Sequence, residues 1–443
     1  MANKVLLVGG GAREHAIGVA LCRNGNVDLY TTAHNRNPGL DSLSREYLVG
    51  DEKDVAGIVG WARAKNIDLA VIGLEDPLKV GLVDALWAAD VPTIGPSKVA
   101  AQLETSKLFT RELMKRHRID GQADFHYFKD VASFTAFLTT SSREYALKPV
   151  GLTAGQGVKV MGAQLKSLDE ALAYGTYVIE HQVGGIEGLV VEERLLGHEF
   201  TLQCFVDGKT VVPMPLVRDY KRAYEGENGP NTGSMGAYSQ SDGLLPFVDG
   251  QHRSAALDIL IQITRAIEMD GCPYQGIMYG QFMRTSKGVQ LVEINARFGD
   301  PEAINVLALL ETDLLEICKA IVEGTLDKQQ VRFARRASVC SYITPPNYGA
   351  NPQSDVPLTL DLEKIKELDV DVLFAKVEQK GNAYLTTKSR SIALLALADD
   401  LDAAADAVEN ALKFVTGDYH MRHDIGCEYE GVSPRRAVLT SVS

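Results

Sequence analysis

The chain of 443 residues carries a formal charge of −13, with 45% hydrophobic residues and 40 glycines. That balance describes a soluble α/β protein of roughly three domains. It excludes a sequence-independent nucleic-acid binder, whose affinity rests on clustered Lys and Arg, and no segment approaches the ~20 apolar residues of a membrane span.

The opening "MANKVLLV" has only a short apolar run before a glycine turn, so neither export nor membrane insertion is expected. "KVLLV" predicts a strand and "GGGAREHAI" a turn into a helix running to Leu21. Strands "VDLYTT", "DLAVIG" and "PTIG" follow, with helices over 55–65 and 80–89, the alternation of a parallel sheet wound on both faces. After "GPSKVAAQLETSK" the rhythm changes. A smaller unit over about 122–187 has strands "YALKPV" and "VKVMG" around a glycine-rich loop, then a helix at "SLDEALAY". Long strands follow at "GLVVEERLL", "EFTLQCFVDG", "GIMYGQFMR" and "GVQLVEIN", with amphipathic helices over 256–269 and 313–323. A last unit opens at "RRASVCSYI", and "PPNYGANPQSDVP" inside it reads as a loop. The six cysteines (Cys22, Cys204, Cys272, Cys318, Cys340, Cys427) offer no close pair for zinc or redox chemistry and fit a reducing cytoplasm.

A glycine turn opening a helix suits a phosphate, because the first amides of a helix point outward. Nucleotide, dinucleotide and sugar phosphate all qualify. A dinucleotide site needs a third glycine where Glu14 stands and an acid at the end of the second strand, where the chain offers "YTTAHN", so that reading fails. His15 on this helix reads as structural. In "LKPVGLTAGQGVKV", Gly151, Gly155 and Gly157 lie between two strands, which makes a hairpin flap and not a P-loop. Lys148, at the flap entrance, and Lys107, opening "KLFTRELM", are within reach of a phosphate there. "VQLVEINARFGDPEA" carries the most information: Glu293 and Asn295 point to one side of a strand, an oxygen pair that suits magnesium. Arg297, Asp300 and Glu302 follow in a charged turn. "PLVRDYKRAYEGENGPNTGSMGAYS" is a long polar loop without secondary structure, read as substrate-binding.

Taken together, these motifs resemble the ATP-grasp superfamily and, within it, the glycinamide ribonucleotide synthetase family of purine biosynthesis. The resemblance runs from "GGGAREHA" through the flap, "DYKR", "GPNTGSMGAYS" and "EINARFGDPE" to "RASVCSYI" and "HMRHDIG". It implies an α/β and α+β multidomain protein: an N-terminal Rossmann-like doubly wound domain over 1–104, an ATP-grasp domain of two subdomains over 105–330, and a small α+β domain over 331–443. It further implies ATP-dependent ligation of glycine to 5-phosphoribosylamine through a glycyl phosphate, with ATP and magnesium or manganese, in a cytoplasmic monomer.

The resemblance also implies roles for individual residues. ATP is assigned to Lys107, Lys148, Gly155, Gln156, Gly157, Glu192, Glu193, Leu195 and Glu199, and metal to Glu293, Asn295 and Gln281. Substrate falls to Gly10, Gly11, Arg13 and Glu14, to Asp219, Lys221 and Arg222, to Pro230, Asn231, Thr232, Gly233 and Met235, and to Arg297, Asp300, Pro301 and Glu302. Catalytic roles are expected for Arg297, Lys148 and Asp219. Gln156 where the family often has lysine, "NRNPG" where it often has "PGNAG", and "EDPL" where it often has "EAPL" resemble an archaeal branch.

Overall fold

The computed structural model describes residues 2–153 and 157–427. Strands β1 (Asn3–Val8), β2 (Val27–Ala33), β3 (Ser44–Val49), β4 (Leu69–Ile72) and β5 (Thr93–Ile94) form a parallel sheet in the order β3-β2-β1-β4-β5. Val5 through Val8 are fully buried, as expected of a continuous apolar run covered by helices on both faces. The strand order reverses between β1 and β4, which places a crevice beyond their carboxyl ends, where Gly9–Gly11 and Gly73–Asp76 lie. The helix Pro38–Leu43 and β3 have no counterpart in the sequence reading. β3 is an edge strand with intermediate or exposed side chains and carries no apolar period. The helix expected over 80–89 is two short helices, Glu75–Val80 and Leu82–Trp87, because Gly81 between them sits at φ 87 and breaks the ladder.

The flap unit is an antiparallel sheet of β6 (Phe125–Phe128), β7 (Tyr145–Pro149), β8 (Lys159–Val160) and β9 (Leu189–Glu193), in the order β6-β9-β7-β8. Helices Val131–Thr140 and Leu168–Glu180 cover it through its own core of Phe134, Leu147, Val178 and Leu189. β7 and β8 are a hairpin, as the glycine-rich loop suggested, although Gly155 and Gln156 lie outside the described residues.

The second antiparallel sheet runs β11-β10-β16-β17, where β10 is Gly197–Asp207, β11 is Val211–Pro213, β16 is Gln275–Thr285 and β17 is Gly288–Asn295. The "DYKR" region is more ordered than a long loop. β12 (Arg218–Asp219) and β15 (Gly236–Ser239) frame a hairpin of β13 (Arg222–Tyr224) and β14 (Asn228–Asn231). β12 and β15 then join β18 (Ala337–Ile343), β20 (Val370–Phe374) and β23 (Ile392–Ala398) in the sheet β12-β15-β18-β23-β20. The C-terminal sheet therefore borrows two strands from the middle of the chain. β19 (Pro357–Leu360), β21 (Val377–Lys380), β22 (Ala383–Thr386) and β24 (Val415–Thr416) form a last small sheet. One apolar core joins Leu6, Phe200 and Leu394, so the units are fused and not strung together. No helix among the described residues is long and apolar enough to cross a membrane.

Candidate functional site

Between the flap sheet and the β10-β16-β17 sheet lies a cleft of about 430 Å³, lined by Lys148, Glu192, Glu193, Leu195, Glu199, Arg222, Gln281 and Glu293. Its floor is a buried ionic triad. The Glu192 carboxylate takes a bidentate pair from Arg111, at 2.8 Å to Nε and 2.9 Å to Nη2, and lies 2.7 Å from Lys148 Nζ. Burial pushes this carboxyl up, but the two cations outweigh it and hold the group at about 2. Arg111 and Lys148 also donate to the Val292 carbonyl on β17. The Glu192 side chain is therefore spent on orienting Lys148, while the residue itself lines the cleft, as expected of the ATP set. Glu193 is paired with Lys287 at 2.7 Å, and Leu195 faces the cleft. Lys107 hydrogen-bonds the Gly151 carbonyl at the flap entrance, and burial lowers its pKa. Gly157 lines none of the cavities described here; its carbonyl accepts from Tyr174.

Strand pairing sets Gln281 opposite Glu293 and Tyr279 opposite Asn295. Directly opposed residues share a face, so Gln281, Glu293 and Asn295 converge at one rim. Gln281 Nε2 donates to Glu199 at 2.7 Å, which leaves its amide oxygen for a cation. The Glu293 carboxylate has neither hydrogen bond nor ion pair among the described residues. One carboxylate and two amide oxygens fit a hard divalent ion that completes its shell with phosphate and water. No cluster of three His, Cys, Asp or Glu among the described residues holds a metal unaided.

The cleft opens into a central cavity of about 350 Å³, sharing Glu192, Asp219, Lys221, Gln281 and Glu293 with it. Here Arg297 bridges two carboxylates, with Nε 3.1 Å from Glu75 and Nη2 3.0 Å from Glu104. Burial raises both acids, and their shares of Arg297 then separate them: Glu75 is held at about 2, with Arg13 helping, whereas Glu104 stays near 7. Asp300 accepts from Tyr342 at 2.6 Å and Arg390 at 2.7 Å. Glu302 accepts from Tyr279 at 2.9 Å and is raised to about 7 by burial and by the neighbouring Asp219. Glu302 opens the helix Glu302–Leu309 and is buried, so the expected charged turn ends before it. Lys221 lies 3.2 Å from Glu199 and 3.6 Å from Asp219.

Asn231, Thr232 and Gly233 line this cavity, although the Thr232 hydroxyl is turned back onto the Lys221 carbonyl. Met235 is fully buried and Pro301 buried, Pro230 is exposed, and none of the three lines a described cavity. Met235 directly precedes β15 and is packed into the core there. Arg222 lines the nucleotide cleft and not the central cavity, and its guanidinium donates to the Gly229 carbonyl across the β13–β14 hairpin.

A third cavity of about 580 Å³ lies at the crevice of the N-terminal sheet, sharing Arg13, Glu75 and Asp300 with the central one. Gly10, Gly11 and Glu14 line it. Glu14 reaches back to cap its own helix: Oε2 accepts from the Gly11 amide at 2.7 Å and Oε1 from Arg13 at 2.6 Å. The glycines make room for this carboxylate. A Cβ on Gly9, at φ +126, would lie 2.6 Å from Glu14 Cγ, and one on Gly73 would lie 2.5 Å from it. The helix N-terminus thus already holds an internal anion. Lys53, His34 and, from the C-terminal region, Lys376 add basic groups that the sequence reading missed. Arg390 and Arg111 were missed likewise, since each meets its partner only across a large sequence separation. His15 is structural: its Nδ1 accepts from the Phe374 amide, and burial lowers it to about 4.

Phosphoribosylglycinamide synthetase profiles match in three successive blocks: the N domain over 3–104, the ATP-grasp (A) domain over 105–303 and the C domain over 338–428. The phosphoribosylamine–glycine ligase of Methanocella arvoryzae is 45% identical over 427 residues, 96% of each chain. That of Pyrococcus horikoshii is 44% identical over 436 residues, 98% of this chain and 97% of its own. The fold is shared with the phosphoribosylamine–glycine ligase of Thermotoga maritima, at TM-score 0.80 and 24% identity over 95% of this chain and 99% of that one. A biotin carboxylase of Campylobacter jejuni shares it at TM-score 0.72 and 13% identity over 95% and 93%. From its first strand to its C-terminal sheet, the chain belongs to the phosphoribosylglycinamide synthetase family.

Proposed function

We propose that this protein ligates glycine to 5-phosphoribosylamine at the expense of ATP, giving glycinamide ribonucleotide, ADP and phosphate, as a cytoplasmic monomer of purine biosynthesis. Three cavities in a row carry the reading: the nucleotide cleft shares residues with the central cavity, which shares others with the N-terminal crevice. Identity to phosphoribosylamine–glycine ligases over nearly the whole chain supports the same substrates.

In this reading a glycine carboxylate oxygen attacks the γ-phosphorus, the bond to the β–γ bridging oxygen breaks, and ADP leaves. The sugar amine nitrogen then attacks the carbonyl carbon of the glycyl phosphate, phosphate departs and the amine loses a proton. No side-chain nucleophile is needed, so the protein contributes position and charge. Lys148, fixed by Glu192, and Lys107 face the phosphates. Gln281, Glu293 and Asn295 hold magnesium or manganese, which supplies charge neutralisation at the phosphates. Arg297, fixed by Glu75 and Glu104, faces the transferring group, and Arg13 serves the sugar phosphate. ADP release requiring glycine and 5-phosphoribosylamine together tests the reading; ADP formed at the same rate without either one would reject it.

A further inference from the structure

We propose that Arg422 is a positioning residue for the ligation: with His420 and Asp424 it clasps the β13–β14 hairpin where that hairpin walls the junction of the nucleotide cleft and the central cavity; this rests on the ligase reading above. The hairpin stands as a two-stranded sheet of its own, and every residue of β14 is exposed. Such a hairpin is marginal by itself in water. Yet Lys221, just before it, and Asn231 on β14 line both cavities, and Arg222 and Glu227 line the cleft. Its position therefore has to be imposed by the rest of the chain. The stretch "HMRHDIG" supplies the means. Arg422 Nη1 donates to the Arg222 carbonyl at 3.0 Å, Nη2 lies 2.9 Å from Glu227, and Nε and Nη2 form a bidentate pair with Asp424 at 2.7 and 2.6 Å. The guanidinium also lies 4.7 Å from the centre of the Tyr220 ring. Asp424 in turn accepts from the Gly226 amide, His420 Nε2 donates to the Ala223 carbonyl at 2.8 Å, and the His423 amide donates to Glu225. The stretch is itself fixed, because His420 exchanges two backbone hydrogen bonds with Thr344, next to β18. The Arg422 side chain is fully buried. A buried ion pair adds little net stability over apolar side chains of the same volume, so what the clasp contributes is geometry. In the ligase reading the phosphoryl group passes from nucleotide to glycine at this junction, where a small displacement costs rate.

The test combines amide hydrogen exchange with steady-state kinetics on the full-length Arg422→Met protein. Exchange across 221–232 should accelerate at least ~10-fold while that of β1 stays within about 2-fold of wild type. The kcat should fall at least ~10-fold while the KM for 5-phosphoribosylamine stays within about 3-fold, since among the described residues none of 220–233 lines the N-terminal crevice. General loosening of the fold would instead act on β1 and on both kinetic parameters. Asp424→Asn takes the charge from one of the two carboxylates on Arg422; it should move exchange and kcat in the same directions by at least ~3-fold and serves if Arg422→Met does not fold. Faster hairpin exchange with kcat unchanged, equal acceleration in β1, or a loss of kcat without faster hairpin exchange would each overturn the proposal. A wild type that forms no ADP with glycine and sugar amine would instead reject the ligase reading.

Discussion

The triad of Arg111, Glu192 and Lys148 joins three elements: the helix Lys107–His117, the flap sheet and β17. Glu192→Gln removes the only negative member of the triad and leaves Arg111 and Lys148 facing each other in a buried site. Breaking a buried pair from one side costs about 3–5 kcal/mol. The pKa of Glu192 gives an independent figure: a fall from 4.5 to about 2 corresponds to roughly 3 kcal/mol of stability at neutral pH. The sign follows from the lowered value. This stabilisation is present above about pH 4.5 and is lost as the pH falls toward 2. Arg111→Met alone leaves Glu192 paired with Lys148 and should cost about 2–3 kcal/mol. In the double variant one cation and the anion leave together, so its loss should fall short of the sum by at least ~1 kcal/mol. Urea unfolding of the four proteins at pH 7 measures the cycle. Additive losses would show that the triad is not an energetic unit, and a Glu192→Gln loss under ~1 kcal/mol would refute its buried charge balance. Because Lys148 loses its anchor, Glu192→Gln should also raise the KM for ATP.

Three further outcomes are expected. Glu293→Gln should abolish ligation and weaken divalent-ion binding while the unfolding free energy stays within ~0.5 kcal/mol of wild type, since the carboxylate makes no hydrogen bond or ion pair among the described residues; near-normal turnover at an unchanged metal requirement would remove it from the metal set. Arg13→Ala should raise the KM for 5-phosphoribosylamine about 10-fold or more and leave that for ATP unchanged, so equal increases in both would assign the N-terminal crevice to the nucleotide. Lys148→Ala should lower turnover ~100-fold or more, as expected for a preorganised charge in a closed site, while Gln156→Ala changes it less than about 3-fold; matched losses in the two variants would make the flap glutamine a direct contact of the reacting phosphoryl group.

Local chemistry carried a large part of this protein. The apolar runs at Val5–Val8 and Leu69–Ile72 announced strands buried on both faces, the glycines around the flap announced a hairpin, and alternation along "VEIN" put Glu293 and Asn295 on one side. Each signal lies within a few residues, where backbone preference and side-chain period act directly. The strand β3 was silent because an edge strand has little burial to impose a pattern.

Tertiary structure alone decided which charges belong together. Glu192 lies in a stretch that reads as a nucleoside contact, yet Arg111, 81 residues away, takes both of its oxygens. Glu14 reads as part of a phosphate turn, yet it closes its own helix while Gly73, at the end of another strand, gives it space. Arg390 meets Asp300 across 90 residues because the helix Glu302–Leu309, just after Asp300, packs against β23, just after Arg390. A lysine or glutamate carries no local sign of its eventual partner. Its charge is settled by burial and by neighbours that only the packing of distant elements brings within hydrogen-bond reach.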